Sequence, residues 1–167
     1  MTHHPPELHL FPLGAFGPIT LQVTERGLCA IDLAPRGHRA RIAKSETRSS
    51  KPAARSPFLA QAHAALDAWL HRQPLPAFTA DLDGLTPFQR DVLRAMAAIP
   101  FGEVRTYGEL AAQIGRPGGA RAVGQACGAN PIPILFPCHR IVSTQGLGGF
   151  SGGLGWKKRL LAHERAS

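Results

Sequence analysis

Apolar and polar residues alternate with a period of two near the start of the chain and with a helical period after it. Leu8-His9-Leu10 and Ile19-Thr20-Leu21-Gln22-Val23-Thr24 read as strands, Glu25-Arg26-Gly27 as a turn, and Leu28-Cys29-Ala30-Ile31-Asp32-Leu33 as a returning strand. This predicts a hairpin, with Phe78 to Leu82 as a candidate third strand. Ser56-Pro57 opens a helix, the serine as cap and the proline in the first turn. Phe58, Ala62, Ala65, Leu66, Trp69 and Leu70 share one face of it, and Pro74 and Pro76 end it. The expected organisation is a small α/β domain over 1–83, with a basic connection at about 35–56, and a second domain over 84–167.

The second half carries sharper punctuation. Thr86-Pro87 caps a helix bearing Phe88, Val92, Leu93 and Met96, stopped by Pro100-Phe101-Gly102. Thr106 caps a second helix, Tyr107 to Ile114, ended by Gly115 and Pro117, and a third starts near Gly119-Ala120 and runs through Cys127. Short helix, tight turn, short helix is the helix-turn-helix plan. Ala120, Ala122, Gly124 and Ala126 line the third helix, and small side chains permit close approach to a partner. That partner is either another helix or a nucleic-acid groove, of which the minor groove is the narrower. Gly146, Gly148, Gly149, Gly152 and Gly153 then make a flexible turn around Phe150-Ser151, and a last helix runs from Trp156 to Glu164. The expected fold class is α+β, a small α/β domain with antiparallel strands followed by a mostly helical one.

Composition narrows the partners. The formal net charge is +8, which fits a polyanion partner, nucleic acid first. Much of the excess lies in Arg36 to Arg55, where a solvated loop is as good a reading as a binding patch. Three cysteines, Cys29, Cys127 and Cys138, without CxxC spacing argue against a disulfide framework and a four-cysteine zinc site, and suit a reducing, cytoplasmic compartment. Prolines at 5, 6, 12 and 18 interrupt any signal-like apolar run, and no segment is long enough to span a bilayer, so no membrane partner is expected.

The chemistry concentrates in Asn130-Pro131-Ile132-Pro133-Ile134-Leu135-Phe136-Pro137-Cys138-His139-Arg140-Ile141-Val142. Its prolines forbid helix and predict a stiff, extended loop. A histidine beside a cysteine can draw off the thiol proton, and the thiolate is the reactive form. Adjacent residues on extended chain point to opposite faces, so a water or a bend between them is expected. A bare Cys-His pair is more often a buried, inert cysteine with a chance neighbour; its surroundings here reverse that balance.

In those surroundings the chain resembles the 6-O-alkylguanine-DNA alkyltransferases. Pro137-Cys138-His139-Arg140-Ile141-Val142 looks like that family's active-site signature, and Arg121-Ala122-Val123-Gly124 and Gly128-Ala129-Asn130-Pro131 lie where it has its arginine and asparagine motifs. Pro100 to Val104, Thr106-Tyr107, Phe150 to Leu154 and Lys157 to Glu164 match as well; from Leu85 to Glu164 the likeness is close, and the first half matches in outline. The resemblance implies a ribonuclease H-like first domain and a winged-helix-like second one. It implies direct-reversal DNA repair: a guanine carrying a 6-O-alkyl group, or a thymine carrying a 4-O-alkyl group, is flipped out of double-stranded DNA. The alkyl carbon passes irreversibly to Cys138 in a single turnover.

In that scheme His139 takes the thiol proton through a water and is oriented by Glu164, Tyr107 donates to guanine N3, and Asn130 braces the loop through backbone contacts. Arg121 enters from the minor-groove side, on a surface that includes Ala120, Ala122, Thr106 and Gly124. Ser151 and the backbone of Cys138 and Ile141 line the base pocket, with Phe150 and Pro133 as apolar walls. No cofactor or metal is implied, although some members hold a zinc in the first domain; here only Cys29 and the scattered His3, His4, His9 and His38 could serve. A monomer is expected, with cooperativity on DNA left open. Phe150 stands where several members have tyrosine, and Cys127 lies near the pocket wall. The alternatives are a non-enzymatic lesion sensor or DNA-binding regulator of the same fold, whose related proteins carry tryptophan for the cysteine, and a cysteine hydrolase, for which no oxyanion site is legible.

Overall fold

The computed structural model describes residues 5–33 and 56–165. The basic segment Arg36 to Arg55 and His3, His4 and His38 lie outside the described residues. The chain divides into two compact units, Met1–Asp81 and Leu82–Ser167. The architecture is α+β, as expected.

In the first unit β1 (Glu7–Pro12), β2 (Pro18–Thr24) and β3 (Gly27–Asp32) form an antiparallel sheet in that order. Glu7 pairs with Val23 and Pro12 with Pro18, while Thr20 pairs with Asp32 and a bulge falls at Gln22/Val23. Ile19, Leu21 and Val23 are buried, as are Leu28, Ile31 and Leu33, so the period-two pattern puts its apolar face inward. The third strand is β1. Phe78 to Leu82, the sequence candidate, contributes a single parallel bridge, Leu28 to Ala80, tied by Leu28 N–H to Thr79 O and Asp81 N–H to Leu28 O. Gly27 permits this approach: a Cβ there would meet Thr79 O at 2.6 Å. Asp81 fastens the hairpin turn, accepting from Thr24 Oγ1 at 2.7 Å and from the Arg26 guanidinium at 3.2 Å. Helix α1 (Pro57–Leu70) buries Ala62, Ala65, Leu66 and Trp69, while Phe58 and Leu70 are half-buried. Ser56 makes no side-chain cap; Pro57 starts the helix by its fixed φ alone.

The second unit holds α2 (Pro87–Ala97), α3 (Tyr107–Gln113), α4 (Ala120–Gly128) and α5 (Leu154–Arg165). Thr86 and Thr106 both close capping boxes, with Gln89 and Glu109 respectively. Two short parallel strands, β4 (Arg105–Thr106) and β5 (Ile141–Val142), pair Arg105 with Ile141 and Thr106 with Val142. That ladder sets the start of α3, and with it Tyr107, beside the chain leaving the cysteine. The core joins Val92, Leu93 and Met96 of α2 to Leu110 and Ala111 of α3, Val123 and Ala126 of α4, and Ile141. Of the small residues on α4, Ala126 serves this core, Ala122 is exposed, and Ala120 and Gly124 are half-buried. The reading as a helix contact thus holds for Ala126.

Thr106 Oγ1 accepts from Glu109 N–H at 3.2 Å and donates to the Glu109 carboxylate at 2.9 Å. Its hydroxyl is committed to starting α3. Thr106→Ala is expected to cost about 1 kcal/mol, read as a lower urea midpoint at unchanged m-value, with Tyr107 the first residue to lose its fixed setting.

Candidate active site

Cys138 opens a single 3-10 turn, Cys138–Arg140, directly after Pro137. Pro137, with φ −81° and ψ 65°, is the centre of an inverse γ-turn closed by Cys138 N–H on Phe136 O at 2.8 Å. The expected extended loop is a compact one instead. Asn130 folds it: its Oδ1 accepts from Ile132 N–H at 3.0 Å and its Nδ2 donates to Phe136 O at 2.8 Å, while Phe136 N–H reaches Ile132 O at 3.0 Å. Prolines exclude helix, but turns satisfy them as well as extended chain does. Within the loop Ile134 is fully buried at φ +76°, a left-handed setting that disfavours a β-branched residue by about 1–3 kcal/mol.

The turn separates the two reactive side chains by function. Cys138, 4% exposed, lines a cavity of about 120 Å³ together with Tyr107, Gly124, Cys127, Gly128, Gly149, Phe150 and Ser151. His139 points away from solvent altogether, its Nε2 2.7 Å from Glu164 Oε1 and its buried Nδ1 without a hydrogen-bond partner among the described residues. Burial dominates the Cys138 thiol and raises its pKa, with the Asn130 side chain and the Lys157 charge pulling the other way. At rest the sulfur is protonated, so a base is needed. Burial lowers the His139 pKa against the pull of Glu164, which leaves a neutral imidazole able to accept a proton. Glu164 is held well below the usual carboxylate range by His139 and Arg140, despite burial.

Tyr107 stands across the cavity. A Cβ at Gly124 would lie 3.7 Å from its ring, and one at Gly148 would meet its Oη at 2.8 Å, so the ring fits between α4 and the glycine-rich loop. Burial, then the neighbouring Cys127, raises its pKa, so the phenol keeps its proton and can donate it. Cys127 donates its thiol to Met96 Sδ at 3.6 Å, and burial pushes its pKa up to about 12. It is a wall residue, not a second nucleophile.

Several expected site residues lie elsewhere. Pro133 and Ile141 are buried and do not line the cavity; the Ile141 carbonyl accepts from Lys157 Nζ at 2.5 Å. Gly124, expected on the DNA face, lines the cavity behind Tyr107. Arg121, Ala122 and, in part, Ala120 remain on the accessible side of α4. Sequence reasoning missed Arg140, which grips Glu164 through Nε at 2.8 Å and Nη2 at 2.9 Å, and Lys157, fully buried and bound to the carbonyls of Ile141 and Gly149. Lys157, Leu160, Leu161 and Glu164 are the buried residues of α5 and recur at helical spacing; that stripe, with a charge at each end, was the available signal. Among the described residues, no group of three or more His, Cys, Asp or Glu could hold a metal ion.

Comparisons with known proteins agree on one family. Residues 87–166 match the model of the 6-O-methylguanine DNA methyltransferase DNA-binding domain. The solved O6-methylguanine methyltransferase of Mycobacterium tuberculosis aligns over 96% of this chain and 93% of its own, with 35% identity and a TM-score of 0.75. The chain belongs to the methylated-DNA–protein-cysteine methyltransferase family. A family member from Salmonella typhimurium is 60% identical over 82 residues, 48% of each chain. The match spans about half the length of such curated relatives. The Mycobacterium tuberculosis OGT solved in complex with DNA aligns over 95% of this chain and 91% of its own, with 34% identity and a TM-score of 0.71.

The buried charges make stability depend on acid. Glu164 and His139 both have lowered pKa values in the fold. Each therefore stabilises fully above its unfolded value, about 4.3 for Glu and 6.5 for His, and loses that contribution as pH falls through the lower folded value. Denaturation of the second unit should show stability falling below about pH 6.5 and more steeply below about 4.3. Glu164→Gln should be less stable at neutral pH and flatten the steeper limb.

Proposed function

We propose that this protein repairs DNA by direct reversal, taking the alkyl group from 6-O-alkylguanine, and from 4-O-alkylthymine, onto Cys138. The observation that carries this reading is a nearly buried thiol that nevertheless lines a cavity, with Tyr107 among its walls and the His139–Glu164 pair behind it. The reaction follows from these groups. His139 Nδ1 takes the thiol proton through a water, and the sulfur attacks the alkyl carbon. The S–C bond forms as the C–O6 bond breaks, and its electron pair leaves on the guanine. Tyr107 supplies a proton at N3, so the base departs neutral. The product is a thioether, which water does not hydrolyse, so each molecule reacts once.

Double-stranded DNA is the partner. A stacked base hides its reactive atom, and flipping it out costs a few kcal/mol. Arg121, exposed at the start of α4, occupies the vacated space from the minor-groove side, with Ala120 and Ala122 allowing the helix to approach. Among the described residues, no helix is long and apolar enough to cross a membrane, and Cys29, Cys127 and Cys138 are all free thiols, which fits a reducing cytoplasm. The protein acts as a monomer and uses no cofactor.

Incubation with duplex DNA bearing methylguanine, followed by intact-mass measurement, should show one added methyl, located on Cys138, with no further turnover. Cys138→Ala should bind DNA and gain no mass; loss of binding in that variant would count against this assignment. Arg121→Ala should slow repair in duplex by on the order of tenfold or more, the scale of a lost flipping contribution, while reaction with free benzylated guanine is little changed. Equal losses on both substrates would remove Arg121 from any role in flipping.

A further inference from the structure

We propose that Arg140 is a positioning residue that keeps Glu164 an anion and His139 neutral at rest, with the imidazole proton on Nε2 and Nδ1 bare to receive the proton of Cys138. The proposal rests on the alkyl-transfer reading and adds the group that sets the state of its base. Glu164 Oε1 faces both His139 Nε2 at 2.7 Å and Arg140 Nη2 at 2.9 Å, and Oε2 takes Arg140 Nε at 2.8 Å and Gly102 N–H at 3.3 Å. Arg140 takes one acceptor site on each oxygen and the Gly102 amide a second on Oε2, and the guanidinium charge favours the anion, so the remaining site on Oε1, toward His139, carries no carboxyl proton. Its contact with the imidazole must then be filled by the Nε2 hydrogen, which leaves the unpartnered Nδ1 as the basic atom.

Charge balance gives Arg140 its specific effect. The groups that face His139 are the Glu164 carboxylate, which favours imidazolium, and Arg140 and Lys157, whose positive charges oppose it. Burial is the largest force against a second ring proton, Glu164 pulls toward one, and the Arg140 charge adds to burial in opposing that pull. Arg140 cancels that attraction from 2.8 Å while preserving the hydrogen bond that orients the ring. The guanidinium is itself fixed: Nη1 donates to Ile99 O at 2.6 Å, and the Phe101 ring lies over it at 5.4 Å. Lysine could supply the charge but not the two-oxygen grip.

Nitrogen-15 NMR of the unmodified protein reads the ring state directly. The expected result is a neutral His139 carrying its proton on Nε2 near neutral pH. A doubly protonated ring, or a proton on Nδ1, would overturn the proposal, and neither result depends on a variant folding. Alkyl transfer to free benzylated guanine, measured against pH, supplies the second test. In Arg140→Gln the acid limb should move up by about one pH unit or more, the scale of a nearby charge, whereas in Arg140→Lys it should stay near its original place. A folded Arg140→Gln with an unmoved limb would also refute the assignment. Failure of the transfer reading itself would appear separately, as no mass gain in the unmodified protein.

Discussion

The second unit is organised around one buried carboxylate. Glu164 accepts from the imidazole of His139, from two nitrogens of Arg140 and from the amide of Gly102, so a helix, a 3-10 turn and a proline-glycine turn meet on two oxygens. A buried ion pair is no automatic gain over apolar packing, but removing one partner typically costs about 3–5 kcal/mol. Fold and chemistry therefore share a single constraint. Whatever keeps α5 docked also aims the imidazole, and a site of this kind cannot loosen without the unit loosening with it.

The same economy governs the cavity. The Cys138 sulfur is shielded by its own burial, which holds it as a thiol. Cys127, beside it in the wall, is likewise held in the protonated form by burial, and its thiol is turned to Met96 Sδ. Tyr107 keeps its proton for the same reason of burial, and Gly124 and Gly148, having no side chains, make the space its ring occupies. Like groups in this wall thus differ by their surroundings: Cys127 faces Met96, and Cys138 adjoins His139 in the 3-10 turn.

Features set by local chemistry were legible in the sequence. The capping threonines Thr86 and Thr106, the alternation in β2 and β3 and the glycine and proline stops all act within a few residues, and they appear where the pattern places them. Features set by distant partners were not. The loop from Asn130 to Pro137 folds into turns because one side-chain amide bonds two backbone groups, and nothing in the run of apolar residues announces Ile134 at positive φ. The segment Phe78 to Leu82 has strand-like composition, yet it reaches the sheet at a single bridge. The burial of Arg140 and Lys157 was not legible, because burial of a cation becomes visible only when its acceptors, separated in sequence, are brought to it.

Lys157 carries one more consequence. Its ammonium joins the carbonyl of Ile141, beside the reactive turn, to that of Gly149, inside the glycine-rich stretch. Swinging that stretch outward would strand a dehydrated cation or drag α5 with it. Despite its glycines the segment is pinned at Gly149, and the mouth of the cavity is framed by a stretch that α5 holds in place.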